Sequence, residues 1–465
     1  MGSFIAHGRV TNYAKVLFYL PRYLRCSSTC YEKLISSSRG IQKPVKMFVA
    51  LLAAAEMGCQ YFVSYFTAKF LEVGGDSQWL KGIHETPSKV QRIVVLNRKM
   101  VETPWAIGRE DVKTLMETGE DEEGWTIGEV VQITTILAMF QAQSSIALGI
   151  GVVCEADVFG GTIWRRISKS ADEETLTGDS EDAGFEAKGN GHSAPIPGSR
   201  QDIIDRLRMN MSAKGPLLPD VSFDHLHESN LESYWKEKDY GLRKEKVFRE
   251  VIENSTSNLT PKNGAQKFLS ALTSSNPATT PDHGPLPSDP PESPMNPIIE
   301  DLTRFTAHDT PARSIVFPND QSVLSSAEYS WDDALRILSK HLPDLATNID
   351  KRFHLPATRG FLQPRMHDTV DITPFKHSVQ QYSLALVGIL KESFNYSLIA
   401  DFLNGELRRF VRRICLDGRG VTKGDWESLQ RLGFSAPEIV EIGIMTSEAR
   451  FMGVLMYALK VVGEL

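Results

Sequence analysis

The stretch Met47–Leu71, MFVALLAAAEMGCQYFVSYFTAKFL, constrains this chain more than any other. Phe48, Leu51, Leu52, Ala55, Cys59, Phe62, Val63, Phe66 and Phe70 recur at helical spacing, so one face of one helix is expected to carry them all. A thiol, Cys59, is embedded in that stripe. Two readings are open for it: inert filling of a core, as is common for free cysteine, or the nucleophile of a thiol peroxidase.

A chain of 465 residues, 41% of them hydrophobic, has material for two or three domains with ordinary cores. Its net charge of −7 argues against a nucleic-acid partner, which would need a basic face. The short basic run Arg408–Arg413 (RRFVRR) reads as a solvated helix face. Five cysteines, Cys26, Cys30, Cys59, Cys154 and Cys415, form an odd and sparse set, and the start MGSFIAHGRV lacks the pattern of a secretory leader. A reducing compartment, the cytoplasm, is the expectation. No membrane span is expected, because the longest apolar run, Met47–Ala55, is cut by Glu56. Gly2 fits a myristoylation motif only loosely, with Ala6 where Ser or Thr is wanted.

Composition divides the chain into three zones. Residues 1–165 are apolar-periodic and poor in proline; 166–325 form an acidic and then proline-rich linker; 326–465 return to helical periodicity. Within the linker, 168–200 is too polar to offset its ordering entropy by burial, and eight prolines lie between Pro277 and Pro297. A short amphipathic piece, Gln201–Met211, reads as a helix between them. Alternating β-branched runs are missing, while helix stops are frequent: Gly74-Gly75, Pro87, Pro104, Gly124, Pro437. The expected fold is all-α, two helical domains joined by a partly disordered helical linker.

An internal echo supports a duplicated unit. Ile107–Val153 and Val421–Val462 each read as a polar helix, a glycine, a Ser/Thr-x-x-Glu signal and a long apolar helix. The signals are Thr126…Glu129 and Ser435…Glu438, and helix capping alone explains their spacing.

The sequence has no phosphate loop, no H-E-x-x-H and no C-x-x-C. Cys26 and Cys30 share a helix face but lack the partners of a zinc site, so no metal or cofactor is expected. An active thiol needs a proton shuttle within reach. On a continuous helix, position 66 lies about 20° from Cys59 around the axis, and position 61 about 200° away. The first is Phe66, which neither donates nor accepts a proton; the second, Tyr61, could assist only if a helix starts afresh near Gly58.

In these residues and the segments around them, the chain resembles the sestrins. The likeness runs through GRVTNYAKVL, AAAEMGCQYFVSYFTAKFLEVGGDSQWLKGIHETPSKVQRI, PWAIGREDVKTLMETGE, WTIGEVVQ, EYSWDDAL (328–335), MHDTVD (366–371) and SEARFMGVLMYALKVV. It implies a pair of alkylhydroperoxidase D–like helical domains. It also implies restraint of the TOR kinase complex through the GATOR complex when amino acids are scarce, together with antioxidant defence, in cytoplasm and nucleus. Carried over by position, the reactive cysteine is Cys59, its relay tyrosine Tyr61, and the relay histidine falls on Phe66. The leucine site falls on Glu438 for the ammonium and Lys376 for the carboxylate, with Thr373 beside it. The site's threonines fall on Gly360, Gln363 and Ile372, and its tryptophan lid on Arg431. The GATOR-contacting surface falls on Thr126, which follows Trp125, and on Glu392 and Ser393. The resemblance therefore implies a regulator that docks on GATOR and takes a free amino acid such as leucine, without nucleic acid or membrane insertion. The alternative it implies is a Cys59-dependent alkyl hydroperoxide reductase.

Overall fold

The computed structural model describes residues 10–37, 40–118, 123–154, 302–306, 318, 322–357 and 372–465. The expectations for 168–200, Gln201–Met211, the proline-rich stretch, Gly360 and Gln363 lie outside the described residues.

The fold is all-α. Its helices are α1 (Asn12–Leu17), α2 (Pro21–Tyr31), α3 (Lys43–Glu56), α4 (Gln60–Glu72), α5 (Ile93–Glu102), α6 (Arg109–Met116) and α7 (Ile127–Gly149). After the linker come α8 (Trp331–His341), α9 (Pro343–His354), α10 (Thr373–Leu386), α11 (Ser397–Phe402), α12 (Gly405–Leu416), α13 (Lys423–Arg431) and α14 (Ala436–Gly463). Among the described residues, strand is confined to β1 (Leu324–Ser325) and β2 (Ile389–Leu390), paired in parallel with Leu324 opposite Ile389.

The echo in the sequence becomes the centre of the molecule. The long helices α7 and α14 are buried along nearly their whole length and pack on each other. Helix α3 lies against α7, while α8, α10 and α12 lie against α14. One apolar core runs from Tyr13 in α1 to Val462 in α14, so both halves of the chain contribute to it. A second gathers α10 to α14 around Phe375, Phe410 and Ile442. Helix α7 is long and apolar enough to cross a bilayer, but its apolar length is buried inside the fold.

Met47–Leu71 does not form one helix. The chain breaks between α3 and α4, and the reason is Gly58, whose φ of 70° suits a residue without a Cβ. The N–H of Gly58 donates to Ala55 O at 2.8 Å and that of Cys59 to Ala54 O at 2.9 Å, the paired bonds that close a helix end around a glycine. Cys59 then caps the start of α4. Both Ser/Thr-x-x-Glu signals act as caps. The N–H of Thr126 donates to Glu129 at 2.9 Å, and that of Ser435 to Glu438 at 2.8 Å. The basic run of α12 is less solvated than expected, because Arg409 and Arg413 both bind the buried carboxylate of Asp425.

One buried polar knot ties α2, α9 and α14. Arg352 donates through Nε to Glu448 Oε2 at 2.9 Å and through Nη2 to Glu448 Oε1 at 2.6 Å. Tyr23 donates its hydroxyl to the same Oε1 at 2.6 Å and accepts from Arg352 Nη2 at 3.0 Å. Arg352 is wholly buried and Glu448 is 2% exposed.

Candidate functional site

The break at Gly58 puts Cys59 at the N-terminus of α4, a place that ordinarily lowers a thiol's pKa. Here burial wins. Cys59 is 1% exposed, and its thiol is pushed up to about 12. The N–H groups of Phe62 and Tyr61 and the hydroxyl of Ser144 oppose that rise, and the neighbouring Cys154 thiol adds to it. None of these leading influences is an imidazole or a carboxylate. With a pKa of about 12, on the order of one thiol in 10⁵ is ionised at pH 7.

The relay position is filled by hydrocarbon. Phe66 is fully buried, stacked on Phe62 at 5.8 Å and edge-on to Phe140 at 4.6 Å. Helix α4 does start afresh, which satisfies the condition set for Tyr61. Its hydroxyl, however, accepts the backbone N–H of Tyr13 at 3.3 Å and so anchors α1. Native-state alkylation followed by mass spectrometry is therefore expected to leave Cys59 unmodified at pH 7 until the chain is unfolded. Cys59→Ser is expected to leave hydroperoxide turnover at background; turnover lost in that variant would reverse the reading.

The residues expected at an amino-acid site converge in part. Lys376, on the second turn of α10, is 3% exposed, with Nζ 3.8 Å from Oε1 of Glu441 on α14. Glu441 was not legible as a site residue by resemblance. The signal available was an acidic residue inside an otherwise apolar helix, one turn after Glu438. Burial pushes the Glu441 carboxyl up to about 9, Lys376 opposes that, and Glu438 reinforces it. Glu438 spends Oε2 on the cap, accepting both the N–H and the hydroxyl of Ser435. Thr373 opens α10, half-buried, one turn before Lys376, and Ile372 precedes it. Arg431 is exposed at the end of α13 and donates to Ser428 at 2.9 Å, while Phe434 stacks with Phe375 at 6.4 Å nearby. Beside this cluster lies a small cavity lined by Phe353, Pro356, Lys376, His377, Met445 and Glu448. The space that a water-sized sphere can reach in it is about 10 Å³, room for roughly one water.

Thr126 is exposed at the N-terminus of α7. The indole N–H of Trp125 before it donates to Lys89 O at 2.9 Å, and the Lys89 ammonium lies 4.7 Å from the ring centre. Glu392 and Ser393 are exposed in the turn after β2. Glu392 accepts the Ser325 hydroxyl, and partial burial raises its carboxyl. Gly128 faces His341 at one end of α8, whereas Ser325 precedes the other end. An 11-residue helix, about 16 Å long, thus lies between the two exposed sites.

Fold and site together define a class: an all-helical protein around two long buried helices, carrying a sequestered thiol at a helix start with the phenyl ring of Phe66 at the expected relay position. A family model described as PA26 p53-induced protein (sestrin) matches residues 1–464. The chain is 22% identical to Sestrin-1 of Xenopus laevis and 23% identical to Sestrin-2 of Homo sapiens. Each match spans 99% of this chain and 85% of the relative. Against Sestrin-3 of Mus musculus it is 22% identical over 98% of this chain and 85% of the relative. The chain belongs to the sestrin family.

Proposed function

We propose that this sestrin acts as a docking regulator: it restrains TOR complex signalling by binding the GATOR complex in the cytoplasm when amino acids are scarce or oxidants accumulate. The observation that carries the reading is the Cys59 environment, a 1%-exposed thiol pushed up to about 12, with a phenyl ring at the relay position. A protein that keeps the helical scaffold without a working nucleophile has its surface left to act with. Thr126, Glu392 and Ser393 are the exposed groups offered to the partner. Lys376 on α10 and the carboxyl groups of Glu438 and Glu441 on α14 stand beside the apolar second core, the kinds of group that a zwitterionic amino acid requires.

The test is capture of purified GATOR subcomplexes on the immobilised chain. The native protein and Cys59→Ser are expected to retain a subcomplex equally. Glu392→Lys combined with Ser393→Lys, a charge reversal on an exposed turn, is expected to weaken capture at least tenfold. Failure of the native chain to retain any GATOR subunit would overturn the proposal.

A further inference from the structure

Helix α12 carries four arginines, which fall into two stripes whose members stand four residues apart. Residues at that spacing are neighbours on a helix face, about 5–6 Å apart at Cβ, and like charges there repel. The stripe Arg409–Arg413 resolves the conflict by clamping an anion. Arg409 Nε donates to Asp425 Oδ1 at 3.2 Å, and Arg413 Nη1 donates to Asp425 Oδ2. That carboxylate, on α13, is 5% exposed. The stripe Arg408–Arg412 has the same spacing and holds no anion. Arg412 is 8% exposed, yet among the described residues no acceptor or carboxylate meets its guanidinium. Arg408, half-buried and the more exposed of the two, likewise binds no carboxylate among the described residues.

Helix α10 packs against this part of α12, where the Cys415 thiol, one turn after Arg412, donates to Ser383 O at 3.5 Å. Burial holds the Arg412 guanidinium below the ordinary arginine range; Tyr382 on α10 opposes this, and Arg413 and Arg409 add to it. Four guanidiniums less the one carboxylate of Asp425 leave three charges unbalanced across Arg408–Arg413. A guanidinium stays charged in proteins and presents a planar fork that takes phosphate oxygens in pairs. A buried charge without a partner is costly. A dianion shared by both members of a stripe removes that cost and their mutual repulsion together, whereas a single carboxylate offsets one charge of the two. We propose that Arg412 and Arg408 form a binding site for a phosphate group, carried by inorganic phosphate or a small phosphate monoester. Arg412 grips its oxygens from the buried side and Arg408 from the more exposed one, as Arg409 and Arg413 together grip Asp425.

The test is thermal unfolding of the full chain, titrated with inorganic phosphate and separately with glycerol 2-phosphate, at fixed ionic strength so that screening stays constant. The native Tm is expected to rise saturably, by about 3 °C once the ligand exceeds its Kd roughly a hundredfold. Acetate at the same ionic strength is expected to give no rise. Arg412→Met, which removes the charge and keeps a long apolar stem, loses the response. Arg408→Gln, at the more exposed position, needs about tenfold more ligand for half the effect, the loss of one charge-assisted bond. The ligand that half-saturates at the lower concentration tells the ester from the free ion, and either order supports the site. A native chain without a saturable rise would overturn the proposal. So would an equal rise in Arg412→Met or an unchanged half-saturation in Arg408→Gln. A rise with acetate as large as with phosphate would also overturn it, marking a carboxylate site of the kind an acidic peptide fills.

Discussion

Glu448→Ala is expected to destabilise the fold by about 3–5 kcal/mol, the cost of leaving a buried guanidinium without its carboxylate. Arg352 is wholly buried, and two of its donors end on Glu448 at 2.9 and 2.6 Å. The Tyr23 hydroxyl would lose its acceptor in the same stroke. Urea unfolding followed by circular dichroism is the measurement, with the midpoint falling and the slope unchanged. Replacing both partners with hydrocarbon, Arg352→Met with Glu448→Leu, is expected to recover most of the loss, because no charge then remains to be solvated. A loss below about 1 kcal/mol for Glu448→Ala would mean that water reaches Arg352, as at an exposed pair.

The second large effect is a fall in stability with rising pH. The Glu441 carboxyl is raised from 4.5 to about 9 in the fold by burial. A group whose folded pKa is raised contributes its full stability below the unfolded value and loses it as pH climbs toward the folded one. The window is therefore about 4.5 to 9, with a slope approaching 1.4 kcal/mol per pH unit for the one proton concerned. Glu441→Gln, which keeps the shape and hydrogen-bonding capacity of the protonated acid, is expected to flatten this dependence and to leave the protein more stable than the native chain near pH 8. Parallel pH profiles for the two proteins would show that the Lys376 ammonium, 3.8 Å away, keeps Glu441 ionised throughout.

The helical class was legible because apolar spacing and stop residues agree along the chain, and both caps were legible because Ser/Thr-x-x-Glu works through bonds three residues apart. The break at Gly58 escaped because an apolar stripe continues across it: Ala55 and Phe62 both face the core, and periodicity does not register a left-handed glycine between them. Glu441, Glu448 and Arg352 escaped for another reason. Their partners are far away in sequence, Lys376 for one and Tyr23 for the others, so only tertiary packing brings the charges together. Resemblance placed Lys376 and Glu438 near one another, but it could not say that Ser435 would occupy one oxygen of that carboxylate. The Cys26–Cys30 spacing was visible and was weighed only as a metal site.

The pairing of α7 with α14 also bears on what a cut in the linker does. Each long helix supplies the apolar wall that the other lacks, and one continuous core holds residues from both ends of the chain. Cleavage between them leaves the packing of α7 on α14 in place. The two fragments are expected to stay associated through hydrocarbon, much as complementing halves of a split reporter do, and to co-elute on size exclusion.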